Sequence, residues 1–141
     1  MKRKHWTLLV IAAGDRPLTP VQLQKSLFLL GKNLPKTTGA GFYKFEPYDY
    51  GPFDVQVYLD AEILVAEGLV EISQSGRGWN EYSATPGGRI TAAVFEKKLN
   101  PKHASYIKAV VAWTQRLSFQ ALVRAIYAKY PSYRANSVFQ P

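Results

Sequence analysis

One stretch constrains this chain more than any other: Tyr48-Asp49-Tyr50-Gly51-Pro52-Phe53-Asp54, then Val55 to Glu67, then Gly68-Leu69-Val70. A proline suits the first turn of a helix, where its missing N–H would have had no partner. A glycine suits the position just past a helix end, which favours a left-handed residue. Pro52 and Gly68 therefore bracket a helix, and Gly68-Leu69-Val70 turns out of it into a strand. Val57, Ala61, Leu64 and Val65 fall at i, i+4, i+7 and i+8 and predict its buried face. Asp54, Asp60, Glu62 and Glu67 predict an acidic face opposite.

The segments on either side fall into place around it. Trp6, Leu9, Val10 and Ala13 lie at helical spacing, so a first helix runs from about Lys4 to Ala13. The cluster Met1-Lys2-Arg3-Lys4 ahead of a short apolar run imitates a secretory leader, but an amphipathic helix accounts for it without export. Thr19, Pro20 and Gln22 form a capping-box start for a second helix, with Leu18 and Leu23 placed as a hydrophobic staple. Leu23, Leu27 and Leu30 are its buried stripe. Residues 33–41 read as a loop, and Phe42 to Glu46 as a short strand that Pro47 ends.

After Gly68, residues 69–73 and 81–85 read as the arms of a hairpin. Its long polar tip, 74–80, carries Arg77 and Trp79, and makes the hairpin a wing. Thr85-Pro86 opens a further helix with Ile90 and Val94 facing inward. Asn100-Pro101 opens the next, with Ile107, Val110, Val111, Thr114 and Leu117 inside. Ser118 caps a last helix through Leu122, Val123, Ile126, Tyr127 and Tyr130, stopped by Pro131. The expectation is one domain over residues 1–141, mainly α with a small antiparallel β-sheet. A winged-helix-like core spans about 4–99, a helical extension about 100–131, and an irregular tail 132–141.

Charge is the next constraint. The net charge is +8, but it is segregated: residues 54–75 hold five acids and no base, whereas residues 76–141 hold ten bases and two acids. Such an excess favours an anionic partner. The absence of cysteine excludes disulfides, thiolate metal sites and a cysteine nucleophile, and a reducing cytoplasm is the simplest compartment. No apolar run approaches the ~20 residues of a membrane span.

Little points to catalysis. His5 and His103 are the only histidines, and nothing pairs them locally. No phosphate-binding loop, dinucleotide turn or nucleophile elbow is present. Asp54 and Asp60 are six positions apart, whereas helical neighbours are three or four apart, so they do not suggest a metal site. We therefore expect no catalytic residue, cofactor or metal. Two binding readings remain open. A protein-binding face would use Tyr48, Tyr50, Asp54, Asp60 and Glu67, the tyrosines as anchors and the acids for steering. A nucleic-acid face would use Lys25, Arg77, Trp79, Arg89, Lys97 and Lys98, with salt-dependent phosphate contacts. The central helix is a poor groove reader, because residues 54–67 contain no Lys or Arg.

The runs Leu23-Gln24-Lys25-Ser26-Leu27-Phe28-Leu29-Leu30, Tyr50-Gly51-Pro52-Phe53, Leu64-Val65-Ala66-Glu67-Gly68-Leu69-Val70 and Ile126-Tyr127-Ala128-Lys129-Tyr130-Pro131 resemble those of the SocA-like, or Panacea, antitoxin domain family and the neighbouring YwgA-like proteins. The resemblance implies a small bacterial winged-helix-like module, carried near toxins or mobile and defence elements. It would have no chemistry of its own. It would neutralise a toxin or deliver a protein to a protease, and could bind DNA as well. Apart from the resemblance, a homodimer is also open.

Overall fold

The computed structural model describes residues 1–139. Helices α1 (Arg3–Ala13), α2 (Pro20–Asn33) and the single turn α3 (Pro35–Thr38) are followed by strands β1 (Glu46–Tyr48) and β2 (Gly51–Phe53). Then come α4 (Gln56–Ala66), strands β3 (Val70–Gln74) and β4 (Asn80–Ala84), and helices α5 (Pro86–Lys97), α6 (Pro101–Arg116) and α7 (Phe119–Lys129). The mainly-α, α+β expectation holds, with two antiparallel two-stranded sheets in place of one; α3, β1 and β2 stand between α2 and α4, where a helix-turn-helix has only a short turn.

The caps form where the sequence placed them. Thr19 Oγ1 accepts from Gln22 N at 3.3 Å, and Gln22 Oε1 accepts from Thr19 N at 3.0 Å. Thr85, Asn100 and Ser118 cap α5, α6 and α7 through Gly88, Lys102 and Ala121 N–H groups. Each supplies an acceptor to a helix donor that has no intrahelical partner. Gly68 has φ +76°, the left-handed exit expected of it.

The wing β3–β4 is antiparallel in the register Val70↔Ala84 to Gln74↔Asn80. Leu18, just before α2, adds a bridge to it: Leu18 N and O bond Tyr82 O and N at 2.8 and 2.9 Å. One buried cluster runs through all parts of the chain. Leu8, Leu18, Leu27, Leu30, Val57 and Leu64 meet Val111, Leu122 and Ile126 of the C-terminal helices. α6 and α7 therefore belong to the core that α1, α2 and α4 build.

Several expectations are corrected. Phe42 and Tyr43 are not in a strand; both rings are buried, and the strand begins at Glu46. Pro52 lies in β2, opposite Pro47, and not in a helical turn. A two-stranded ribbon has two free edges, where a residue without an N–H costs no ladder bond. The helix consequently starts four residues later than Pro52 implies. Val65 is 39% exposed. Ile90 and Val94 point outward, 69% and 51% exposed. Gly88 explains them: a Cβ there would lie 1.9 Å from Leu69 O, so α5 lies close against that backbone with Gly88 and Ala92 inside. Ile90 and Val94 are then turned to the far side. The tail is not wholly irregular: Pro131–Arg134 forms a 3-10 turn, and Val138 N bonds Asp49 O at 2.9 Å. Gln140 and Pro141 of the expected tail lie outside the described residues.

Candidate functional site

The Gln-Lys and Gly-Pro motifs, 26 residues apart from Lys25 to Gly51, form a single structural unit. Gln24 Nε2 donates to Asp54 O at 2.9 Å, and its Oε1 accepts from Asp54 N at 3.1 Å. Lys25 Nζ donates to Pro52 O at 3.0 Å. α2 thus clamps the segment that leads into α4. Gly51 has φ +102°, and a Cβ on it would sit 3.1 Å from Tyr127 Cε1 and 3.6 Å from Lys25 Cε. Lys25 is only 2% exposed, and burial pushes its ammonium down to about 7 from the usual 10.5. It is a structural tether and cannot reach a phosphate, which removes it from the expected nucleic-acid face.

The expected acidic face is largely consumed within the fold. Asp60 is buried, on the same side of α4 as Val57, Ala61 and Leu64. Arg3 Nε and Nη2 donate to its two oxygens at 2.8 and 3.1 Å, and Tyr43 Oη donates to Oδ2 at 2.6 Å. Thr7 Oγ1 completes the chain at 2.6 Å from Tyr43 Oη. Burial first, and the bond to Asp60 second, push the Tyr43 hydroxyl well above its ordinary value. The hydrogen bond to Asp60 holds the Arg3 guanidinium protonated above its own. Glu67 Oε2 accepts from Lys4 Nζ at 2.7 Å. Asp54 turns back on the backbone, its oxygens accepting from Gln56 N and Lys44 N at 2.9 and 2.8 Å. Asp60 is thus corrected from a surface contact to a core ion pair, and Asp54 and Glu67 are partnered within the chain. Glu62 is the member of the four that stands exposed with no ion pair among the described residues.

The spacing carried a signal for Asp60. Val57, Asp60, Ala61 and Leu64 fall at i, i+3, i+4 and i+7, so this carboxylate sits in the apolar stripe itself. A buried charge needs a partner, and Arg3 supplies it from α1.

With Asp60 folded inward and Glu62 left outside, α4 and its N-cap residue present Val55, Leu59 and Ile63 to solvent at i, i+4 and i+8, 50%, 44% and 46% exposed. At the start of the stripe lies an open groove of about 730 Å³ whose wall includes Arg3, Lys44, Tyr48, Phe53, Val55 and Gln56. Tyr48 is exposed as expected and stacks on Phe53 at 4.8 Å between ring centroids. Tyr50 is also exposed, but meets Phe119 of α7 edge-on at 5.1 Å. Of the expected protein-binding set, Tyr48 and Asp54 share the groove, Tyr50 faces α7, and Glu67 stands beyond the far end of α4.

The expected nucleic-acid set is dispersed. Arg77 and Trp79 sit at the wing tip, the guanidinium 6.0 Å from the indole centroid. Arg89, Lys97 and Lys98 are exposed on α5, whose start is a five-residue strand away from the tip, about 17 Å. His5 stacks on Phe95 at 4.1 Å, and burial, then Lys4, lowers its basicity. His103 Nδ1 lies 3.3 Å from Thr37 Oγ1. Among the described residues no three His, Cys, Asp or Glu side chains are grouped to hold a metal, and no helix is long and apolar enough to cross a membrane. No protein-family model, curated protein or solved structure matches the chain.

Proposed function

We propose that this chain is a cytoplasmic, non-catalytic interaction module of antitoxin or adaptor type, and that α4 is where its protein partner docks. The observation that carries this is the row Val55, Leu59 and Ile63 standing in solvent on the helix that a winged helix would lay into DNA. An apolar row without a Lys or Arg suits no phosphate backbone. It suits the apolar face of a partner helix, read by anchors at i, i+4 and i+8. Among the described residues Glu62 is the carboxylate of that helix without an ion pair, so the complementary partner is apolar along one face and basic beside it. The likeness to SocA-like antitoxins points the same way, and a chain without cysteine fits a reducing compartment.

A photo-reactive residue at Leu59 tests it, with one at Ile90 as the comparison. A discrete adduct from Leu59 in the native host, lost in Ile63→Asp and absent from Ile90, supports α4 docking. No adduct at Leu59 refutes it. For the antitoxin assignment, co-expression with the adjacent gene's product must restore growth with the wild type and fail with Ile63→Asp.

Binding of nucleic acid is the second reading, favoured by exposed Arg77, Arg89, Lys97 and Lys98 and by the charge of +8. Duplex affinity that falls steeply with salt and is lost in Arg77→Ala or Lys97→Ala would place it first.

A further inference from the structure

A second groove, about 390 Å³, runs between α4 and the wing, and its chemistry differs from that of the first. Tyr58 from α4 and Tyr82 from β4 stack nearly parallel in its wall, 6.1 Å apart at 8°, with Tyr82 buried beneath and Trp79 left as the exposed indole. Trp79, 37% exposed, closes the wing side, and Pro20 and Ile72 add apolar surface. Glu62 lines the same groove, and no Lys or Arg does. Of the two carboxylates on α4, Asp60 is paired with Arg3, and Glu62 has no ion pair among the described residues. Its charge reaches into the groove: burial first, and Glu62 as well, raise the Tyr82 hydroxyl above its ordinary value. Glu62 lies between Leu59 and Ile63 in sequence, so groove and apolar row adjoin.

Aromatic faces beside an unpaired carboxylate are the two features that attract an organic cation. The ring quadrupole draws the cation over the face, and the carboxylate neutralises it. The guanidinium of Arg77, which does not itself line the groove, stands 6.0 Å from the Trp79 ring centroid. Arginine fits better than lysine, because a planar guanidinium can stack on indole and still fork onto a carboxylate. We propose that the groove bounded by Tyr58, Glu62, Trp79 and Tyr82 receives an arginine side chain of the protein that docks on α4. The inference rests on α4 being the docking face, and adds what that partner must carry beside its apolar anchors.

The probe is N-acetyl-arginine N-methylamide, titrated to high millimolar concentration against the isotope-labelled chain, with the N-acetyl-citrulline counterpart as the uncharged comparison. The Trp79 indole N–H and the Tyr82 ring should shift with the arginine probe. The citrulline probe should bind about tenfold more weakly. Glu62→Gln should remove that difference, and Glu71→Gln, on the exposed face of β3, should leave it intact. Equal shifts from both probes, shifts confined to the other groove, no shift at all, or an arginine preference that survives Glu62→Gln would each overturn the proposal. The probe needs no contact with Leu59 or Ile63. A failed titration with an intact Leu59 adduct therefore removes the cation site alone, whereas a positive titration without the adduct removes the docking reading, and with it the docked partner's arginine as the occupant, and leaves the cation site standing.

Discussion

Replacing Lys25 with methionine should make the protein more stable at neutral pH, and should abolish part of its pH dependence. Lys25 is held under the Gly51-Pro52 corner, with Pro52 O as its hydrogen-bond acceptor. Burial lowers its folded pKa to about 7, against 10.5 for the free side chain. Between about pH 7 and 10.5 the unfolded chain therefore holds a proton that the folded chain has released, and stability rises with pH across that window. At about 1.4 kcal/mol per pKa unit the buried ammonium costs about 4 kcal/mol at pH 7 and about 2 kcal/mol at pH 9. Methionine fills a similar volume without charge, but it strips Pro52 O of its donor, which costs about 1–3 kcal/mol. The variant should thus gain about 1–3 kcal/mol at pH 7, and its advantage should shrink by about 2 kcal/mol at pH 9. Urea unfolding of both proteins at the two pH values, followed by tryptophan fluorescence, reads both quantities. Titrations shared by the two proteins cancel in the difference. If the difference were the same at both pH values, Lys25 would not be charged in the unfolded and neutral in the folded chain, and the reasoning would be refuted.

Three further outcomes follow from the packing. Asp60→Ala leaves the Tyr43 hydroxyl and the part-exposed Arg3 guanidinium without their acceptor, and should cost about 2–3 kcal/mol in urea unfolding; Glu62→Ala on the same helix should cost under about 0.5 kcal/mol. Gly88→Ala drives a Cβ into Leu69 O, so α5 must move off that backbone; a loss of about 3 kcal/mol is expected, and a neutral result would show that α5 is not held there. Ile90→Ser, exposed on the far side of α5, should change the urea midpoint by less than about 0.5 kcal/mol equivalent, whereas an inward Ile90 would lose several times that.

The elements whose cause is local were legible in the sequence. Thr19-Pro20-x-Gln22, Thr85-Pro86, Asn100-Pro101 and Ser118 start helices because the side-chain acceptor and the helix donors it satisfies lie within a few residues. Elements whose cause is distant were misread. Pro52 has a local use at a helix start and an equally good one on a ribbon edge, and its place was settled by the clamp from Gln24 and Lys25, over 25 residues earlier. Ile90 and Val94 obey helical spacing, but spacing names a face without saying which side is inward; the close approach of Gly88 to Leu69 decides that. The same limit applies to charge. The acidic island at 54–75 is real as a count, yet Arg3 and Lys4, close to the first residue of the chain, pack α1 against α4 and neutralise Asp60 and Glu67. A charge tally along a chain describes its surface only where the partners are neighbours in sequence. Across long contacts the tally becomes ion pairs, buried at Asp60 and on the surface at Glu67, and what α4 leaves outside is decided by its residues that found no partner: here Glu62, and the apolar row Val55, Leu59 and Ile63 beside it.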